Sequence, residues 1–218
     1  MKKIAVILCG SGFKDGSEIR ESVATLWALS QNHAESACFA PDALQSDVVN
    51  CLTLAPMDEK RNQMVEAARI ARGKVRPLAE LEPKDFHGII IPGGFGAAKN
   101  LCNFASKGSQ GSVIPEVVRV LEGFHSSHKP IGAICIAPAI LALVFKGKGL
   151  ELTVGAGSEV AQELTRLGHR HVVKKASECH SDFKNRIVST PAYMYDDAPL
   201  HEIFQGIQLL TQEVIRMA

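Results

Sequence analysis

The 218-residue chain is 46% hydrophobic and 22% charged, a globular mix long enough to enclose a sizeable core. Its 24 Lys and Arg offset 23 Asp and Glu, which gives no electrostatic case for nucleic acid or an anionic membrane as partner. No window approaches the ~18 apolar residues of a membrane span.

The opening "MKKIAVILCGSGF" holds too short an apolar run for a secretory signal, so it reads as a first strand over 3–9. Residues 16–33 follow as a helix, with Ile19, Val23, Leu26 and Trp27 at helical spacing as its apolar face. Asp15 is the expected N-cap, and Glu18 completes a capping-box pattern. A second strand, "SACFA" (36–40), ends at Pro41. A helix is expected over 58–73, closed by Gly73. "HGIIIPGG" (87–94) is a strand running into glycines, and "SKGSQGS" (106–112) reads as a mobile surface loop near the site. Pro115 opens a helix over 115–128. "PIGAIC" is the next strand and "APAILALVF" the next helix. The rest reads as strand "LELTV", helix "SEVAQELTRLG", strands "RHVVKKA" and "NRIVSTPA", and a last helix over roughly 198–217.

This alternation predicts an α/β fold: one domain over 1–218, with a mostly parallel sheet and helices on both faces. Ligands of such sheets bind beyond the carboxyl ends of the strands. The loops after residues 9 and 91 and the turn at 135 are therefore the places to look.

Six cysteines stand at 9, 38, 51, 102, 135 and 179 with no C-x-x-C pair, against a zinc ribbon or a thioredoxin-type motif. Cys9 and Cys38 lie in apolar runs and read as small hydrophobes. The pattern predicts a reducing compartment, the cytoplasm.

Cys135 is either one more buried thiol or a nucleophile. Its frame, Ala133-Ile134-Cys135-Ile136-Ala137, fits the small-x-nucleophile-x-small pattern of a strand-to-helix elbow. Pro138 then suits a first helical turn. A helix N-terminus at the sulfur predicts a lowered thiol pKa. The "PGGFG" turn (92–96) can expose backbone N–H groups; with that of Ile136 they would make an oxyanion hole. A phosphate cradle is the alternative, but neither G-x-G-x-x-G nor a following Lys-Ser/Thr is present. Glu21 shares a helical face with Ala24, Thr25 and Ala28, so its carboxyl can be partly buried and its pKa raised. Glu18 better serves the cap. His169 and His171 share a strand face; with Cys179 and His180 they form a conceivable metal cluster, but no ligand spacing enforces it, and no metal is expected. In "HSD" (180–182), Asp182 is placed to orient His180.

"DGSEIRES", "CFAPD", "ARIARGKV", "PGGFGAAKNL", "CIAPA" and "STPAYM" together resemble the ElbB-type (enhancing lycopene biosynthesis) proteins. These form part of the PfpI-like branch of the class I glutamine amidotransferase-like superfamily. The resemblance covers nearly the whole chain and implies a flavodoxin-like three-layer sandwich that forms a homodimer. It implies Cys135 as nucleophile, Glu21 as its carboxyl partner, and oxyanion donors at Gly94 and Phe95. It also implies a cofactor-independent glyoxalase acting on small aldehydes. Two departures stand out. Ile136 occupies the place where several relatives carry His directly after the cysteine, and the late H-x-E of glutaminase domains is echoed only by His180-Ser181-Asp182. His171 is the histidine expected near Cys135, with His180 as its alternative. Amide hydrolysis using Cys135 and His180, and a non-enzymatic redox-sensing or chaperone-like role, are the competing functions.

Overall fold

The computed structural model describes residues 1–218. In chain order the elements are β1 (Lys3–Ile7), α1 (Ile19–Gln31), β2 (Glu35–Ala40), α2 (Gln63–Ile70), β3 (Val75–Pro77), β4 (Gly88–Ile91), α3 (Phe95–Lys99) and α4 (Phe104–Lys107). Then come α5 (Pro115–Ser126), β5 (Ile131–Ile134), α6 (Pro138–Val144), β6 (Glu151–Leu152), α7 (Glu159–Arg166), β7 (Arg170–His171), β8 (His180–Asp182), β9 (Ile187–Thr190) and α8 (Leu200–Met217).

Seven strands form one sheet in the order β3-β2-β1-β4-β5-β9-β8. Only the β8–β9 edge is antiparallel. β6 and β7 make a separate two-stranded pair. Alternation along β1 builds the layers. Ile4, Val6 and Leu8 pack with Ala24, Leu29, Ile203, Ile207 and Leu210 of α1 and α8. Ala5, Ile7 and Cys9 pack on the other face with Ala97, Val117, Val120 and Leu141 of α3, α5 and α6. The result is the flavodoxin-like three-layer α/β architecture. Chain order reverses where β4 joins β1 on the side opposite β2. That switch point opens a crevice at the carboxyl ends of β1 and β4.

Several local expectations need correction. The apolar stripe of α1 faces outward: Ile19, Val23 and Trp27 are each close to half exposed, while Glu21, Ala24, Thr25 and Ala28 are buried. A face of small residues lets α1 sit close to the sheet, and bulky side chains on that face would hold it off. Asp15 does not cap α1. It accepts the Val49 N–H at 2.9 Å, and Glu18 is the cap, taking the Glu21 N–H at 2.6 Å. α2 begins five residues later than expected because Asn62 accepts the N–H groups of Met64 and Val65. Residues 106–112 are not free of structure. The end of α4 and a short 3-10 turn lie there, held by Glu163, which accepts the Ser109 N–H at 2.6 Å. The strand expected over 170–176 shrinks to β7. β3 and β8, three residues each, carry too few side chains to show alternation.

Candidate active site

Three chain segments meet at the switch point. The first is the β1–α1 loop with the start of α1. Cys9 N–H bonds the Ser17 hydroxyl at 2.9 Å, and Asn100 donates to the carbonyls of Cys9 and Asp15. The second is the turn after β4. Glu18 N–H bonds the Gly93 carbonyl at 3.0 Å, and Gly96 N–H bonds that of Gly16 at 3.0 Å. A Cβ on Gly96 would lie 2.4 Å from the Gly16 Cα, so these two backbones touch only because both residues lack side chains. The third is the turn after β5, where Cys135 N–H bonds the Thr190 carbonyl at 2.9 Å.

Cys135 has φ +61°, a left-handed conformation that a non-glycine residue adopts at a cost of about 1–3 kcal/mol. The elbow read from the sequence is therefore present. It aims the sulfur into a cleft of about 680 Å³ lined by Gly94, Phe95, Ile136 and Tyr193, among others. The side chain is nevertheless 7% exposed, so the sulfur is reached only through that cleft.

Glu21 is fully buried. Its Oε2 accepts the Gly93 N–H at 2.8 Å and its Oε1 the Tyr193 N–H at 3.3 Å. The same carboxyl stands within hydrogen-bonding reach of the Cys135 thiol. Burial, then the neighbouring Glu18 charge, push its pKa up to about 8. Gly93 makes this approach possible. A Cβ there would stand 2.6 Å from the Cys135 Cβ and 2.8 Å from Glu21 Oε2.

The N–H groups of Gly94 and Ile136 face the sulfur. Phe95 differs from expectation in the way it serves. Its N–H is spent on the Phe13 carbonyl at 2.9 Å, so its ring, and not its amide, contributes to the cleft. The expected low-pKa thiol is also corrected. Burial foremost, and then Glu21, raise the Cys135 pKa well above the ordinary thiol value, against the opposing pull of the Gly94 and Ile136 N–H groups. Helix-end dipoles do not outweigh desolvation beside a carboxyl.

The histidines lie elsewhere. His171 is on β7, paired with Leu152 of β6. Its ring reaches the Gly155 backbone, and its buried Nε2 has no partner. It is not among the residues lining the Cys135 cleft. His180 Nε2 bonds Glu151 at 3.0 Å. Asp182 does not orient that imidazole; it accepts the N–H groups of Glu151 and Asn185. His169 is buried, taking the Leu150 N–H at Nδ1 and meeting the Ala142 carbonyl at Nε2. Sequence reasoning missed Tyr193. Its amide holds Glu21, and its hydroxyl accepts from Arg20 at 2.9 Å. The visible signal was "TPAYM" directly after a buried strand.

No family model matches the chain. It is 43% identical over 225 residues to the Rattus norvegicus "ES1 protein homolog, mitochondrial", covering 99% of this chain and 84% of that one. It is also 43% identical to the Homo sapiens "Glutamine amidotransferase-like class 1 domain-containing protein 3, mitochondrial", covering 99% and 83%. The chain belongs to the ES1 family of glutamine amidotransferase-like class 1 proteins. Among solved structures, an isoprenoid biosynthesis protein with an amidotransferase-like domain from Ehrlichia chaffeensis superposes with a TM-score of 0.93 at 34% identity, over 100% of this chain and 99% of that one. Drosophila melanogaster DJ-1beta shares the fold, with a TM-score of 0.54 at 19% identity over 99% and 96%. The superfamily expected from the motifs therefore stands. The cytoplasmic expectation does not, because the rat, human and zebrafish relatives are all named mitochondrial proteins. Free thiols speak to redox state and do not distinguish one reducing compartment from another.

Proposed function

We propose that the protein is a cofactor-independent glyoxalase-type enzyme that converts small dicarbonyls such as glyoxal or methylglyoxal to 2-hydroxy acids. One observation carries this reading: a fully buried carboxyl lies within hydrogen-bonding reach of the thiol of a strained elbow. The finer assignment to the ElbB-type branch rests on the sequence motifs.

Loss of one proton leaves the pair with a single negative charge, and an incoming carbonyl draws that charge onto sulfur. The thiolate adds to one carbonyl carbon, forming the C–S bond, and the Glu21 carboxyl gives its proton to the new oxyanion. The product is a hemithioacetal facing a carboxylate. Glu21 then removes the C–H proton of that carbon and delivers it to the neighbouring carbon. The hemithioacetal hydroxyl gives its proton to the second oxygen, leaving a 2-hydroxyacyl thioester. Water adds to the thioester, the C–S bond breaks, and Glu21 recovers a proton as the 2-hydroxy acid leaves. Oxidation at one carbon is balanced by reduction at the other, so no external redox agent is needed. The N–H groups of Gly94 and Ile136 suit the oxyanion; one such donor is worth about 2.7–4 kcal/mol of barrier.

Amide hydrolysis is less well supported, because it asks for an imidazole at the sulfur and His180 is engaged by Glu151. The test is turnover of glyoxal and methylglyoxal by purified protein, with 2-hydroxy acid measured as product. Formation of glycolate and lactate that is lost in Cys135→Ala supports the reading. Equal rates in parent and variant refute it.

A further inference from the structure

Seven non-glycine residues take a left-handed backbone, and two of them, Cys135 and Ala192, are buried. The other five stand at exposed or half-buried positions. The two buried ones follow β5 and β9, which are paired neighbours in the sheet. Such strain costs about 1–3 kcal/mol and persists where the surroundings impose it. At Cys135 it aims the sulfur. At Ala192, with φ +44°, it turns the chain so that the next residue, Tyr193, presents its N–H to the Glu21 carboxyl at 3.3 Å. Both strained residues thus serve the same pair of side chains.

Tyr193 straddles the first turn of α1. Its amide meets Glu21 on the inner side, and its hydroxyl accepts from the Arg20 guanidinium at 2.9 Å on the outer side. Consecutive helical residues point about 100° apart, which is why Glu21 is fully buried and Arg20 exposed. The far side of the Tyr193 turn is held separately. Met194 N–H bonds the Pro191 carbonyl, Tyr195 N–H bonds that of Ala192, and the Tyr195 hydroxyl donates to the Lys174 carbonyl at 2.8 Å. The hydrogen bonds joining the turn to α1 are the two made by Tyr193. Its amide bond to Glu21 is long for an N–H donor, so the shorter hydroxyl bond is the firmer anchor.

We propose that Arg20 and Tyr193 are positioning residues for the pair at the elbow: Arg20 clamps the Tyr193 hydroxyl, and the clamp keeps the Tyr193 N–H on Glu21. Their part in catalysis rests on the proposed dicarbonyl reaction; the clamp itself is a property of the fold. The groups that act on the Glu21 carboxyl are the Glu18 charge on α1, the Cys135 thiol after β5, and the N–H groups of Gly93 after β4 and Tyr193 after β9. An N–H donor favours the carboxylate, so loosening Tyr193 lets Glu21 keep its proton to higher pH. Loss of Arg20 acts in the same direction by a second route, because its charge also offsets that of Glu18.

The test is a carbon-13 NMR titration of protein labelled at the glutamate carboxyls, with the Glu21 signal assigned by its loss in Glu21→Gln. Tyr193→Phe removes the hydroxyl and keeps the ring. Arg20→Met removes the guanidinium at an exposed position. Thermal unfolding checks that each variant is folded. The Glu21 midpoint, about 8 in the parent, is expected to rise by about half a pH unit or more in each single variant. The Tyr193→Phe/Arg20→Met double variant should fall short of the sum of the two single shifts, because both remove the same hydrogen bond. A tyrosine with a merely structural role would lower the unfolding temperature and leave the midpoint in place. A midpoint unmoved in Tyr193→Phe, or a double variant that gives the full sum, overturns the inference. Glyoxal turnover measured on the same proteins separates the two claims. A midpoint that moves in a protein without turnover retires the proposed reaction and keeps the clamp. Turnover with a fixed midpoint keeps the reaction and retires the clamp.

Discussion

Two clusters of titratable side chains sit on this fold, and they are built in opposite ways. Around β6, β7 and β8, His169 is paired at both ring nitrogens and His180 is held by Glu151. These polar groups hold loops and short strands in place. At the crest of β1, β4 and β5, Cys135 is forced to φ +61° and Glu21 is buried with its pKa pushed up to about 8. The crest keeps strain and a buried carboxyl beside a thiol, while in the histidine cluster the rings of His169 and His180 are satisfied and immobilised, with His171 Nε2 the one buried ring nitrogen left without a partner. Strained, proton-sharing groups at the mouth of a cleft suit chemistry, and satisfied ones suit architecture.

The sharpest way to break this contrast is to delete the sulfur. Cys135→Ala is expected to abolish dicarbonyl turnover in a product assay, whereas His180→Gln leaves kcat within about twofold, since that ring does not line the cleft. Next in size, Glu21→Gln should lower kcat by about 10²–10⁴-fold, the usual worth of a positioned proton carrier. Gly93→Ala places a methyl against both site residues. Denaturant titration should show a loss of about 1–3 kcal/mol from overpacking, together with a large fall in kcat. His169→Ala leaves the Leu150 N–H and the Ala142 carbonyl unpaired, at about 1–3 kcal/mol of stability, yet the rate of Cys135 alkylation should not change. An altered alkylation rate would dissolve the distinction between the clusters.

The pH dependence of stability supplies a separate test. Glu21 holds its proton to about 8 in the folded chain and releases it near ~4.3 when unfolded. The folded state therefore binds the extra proton between those values. Its contribution is fully present below the lower value and is lost as pH rises through the higher one. Thermal unfolding followed from pH 4 to 9 should show this decline in the parent, flattened in Glu21→Gln.

Much of the crest was legible in the sequence. Small residues two positions either side of Cys135, paired glycines after a buried strand, and Glu21 on the Ala24/Thr25/Ala28 face each impose a local geometry. The outward stripe of Ile19, Val23 and Trp27 was misleading because periodicity shows that one face is apolar, not that this face is the buried one. The pairing of His180 with Glu151 was hidden because it joins segments 29 residues apart across short strands. The thiol pKa was misjudged for a related reason. The helix end is visible in "APAIL", but the depth of burial and the carboxyl beside the sulfur are three-dimensional facts.

The central claim is that Cys135 and Glu21 share one proton economy, and the pH profile of Cys135 alkylation tests it most directly. The half-point in the parent should lie above the ordinary thiol value of about 8.5 and move to lower pH in Glu21→Gln, where the competing acid is gone. A half-point well below that value in the parent, or one that the substitution leaves in place, would contradict the account.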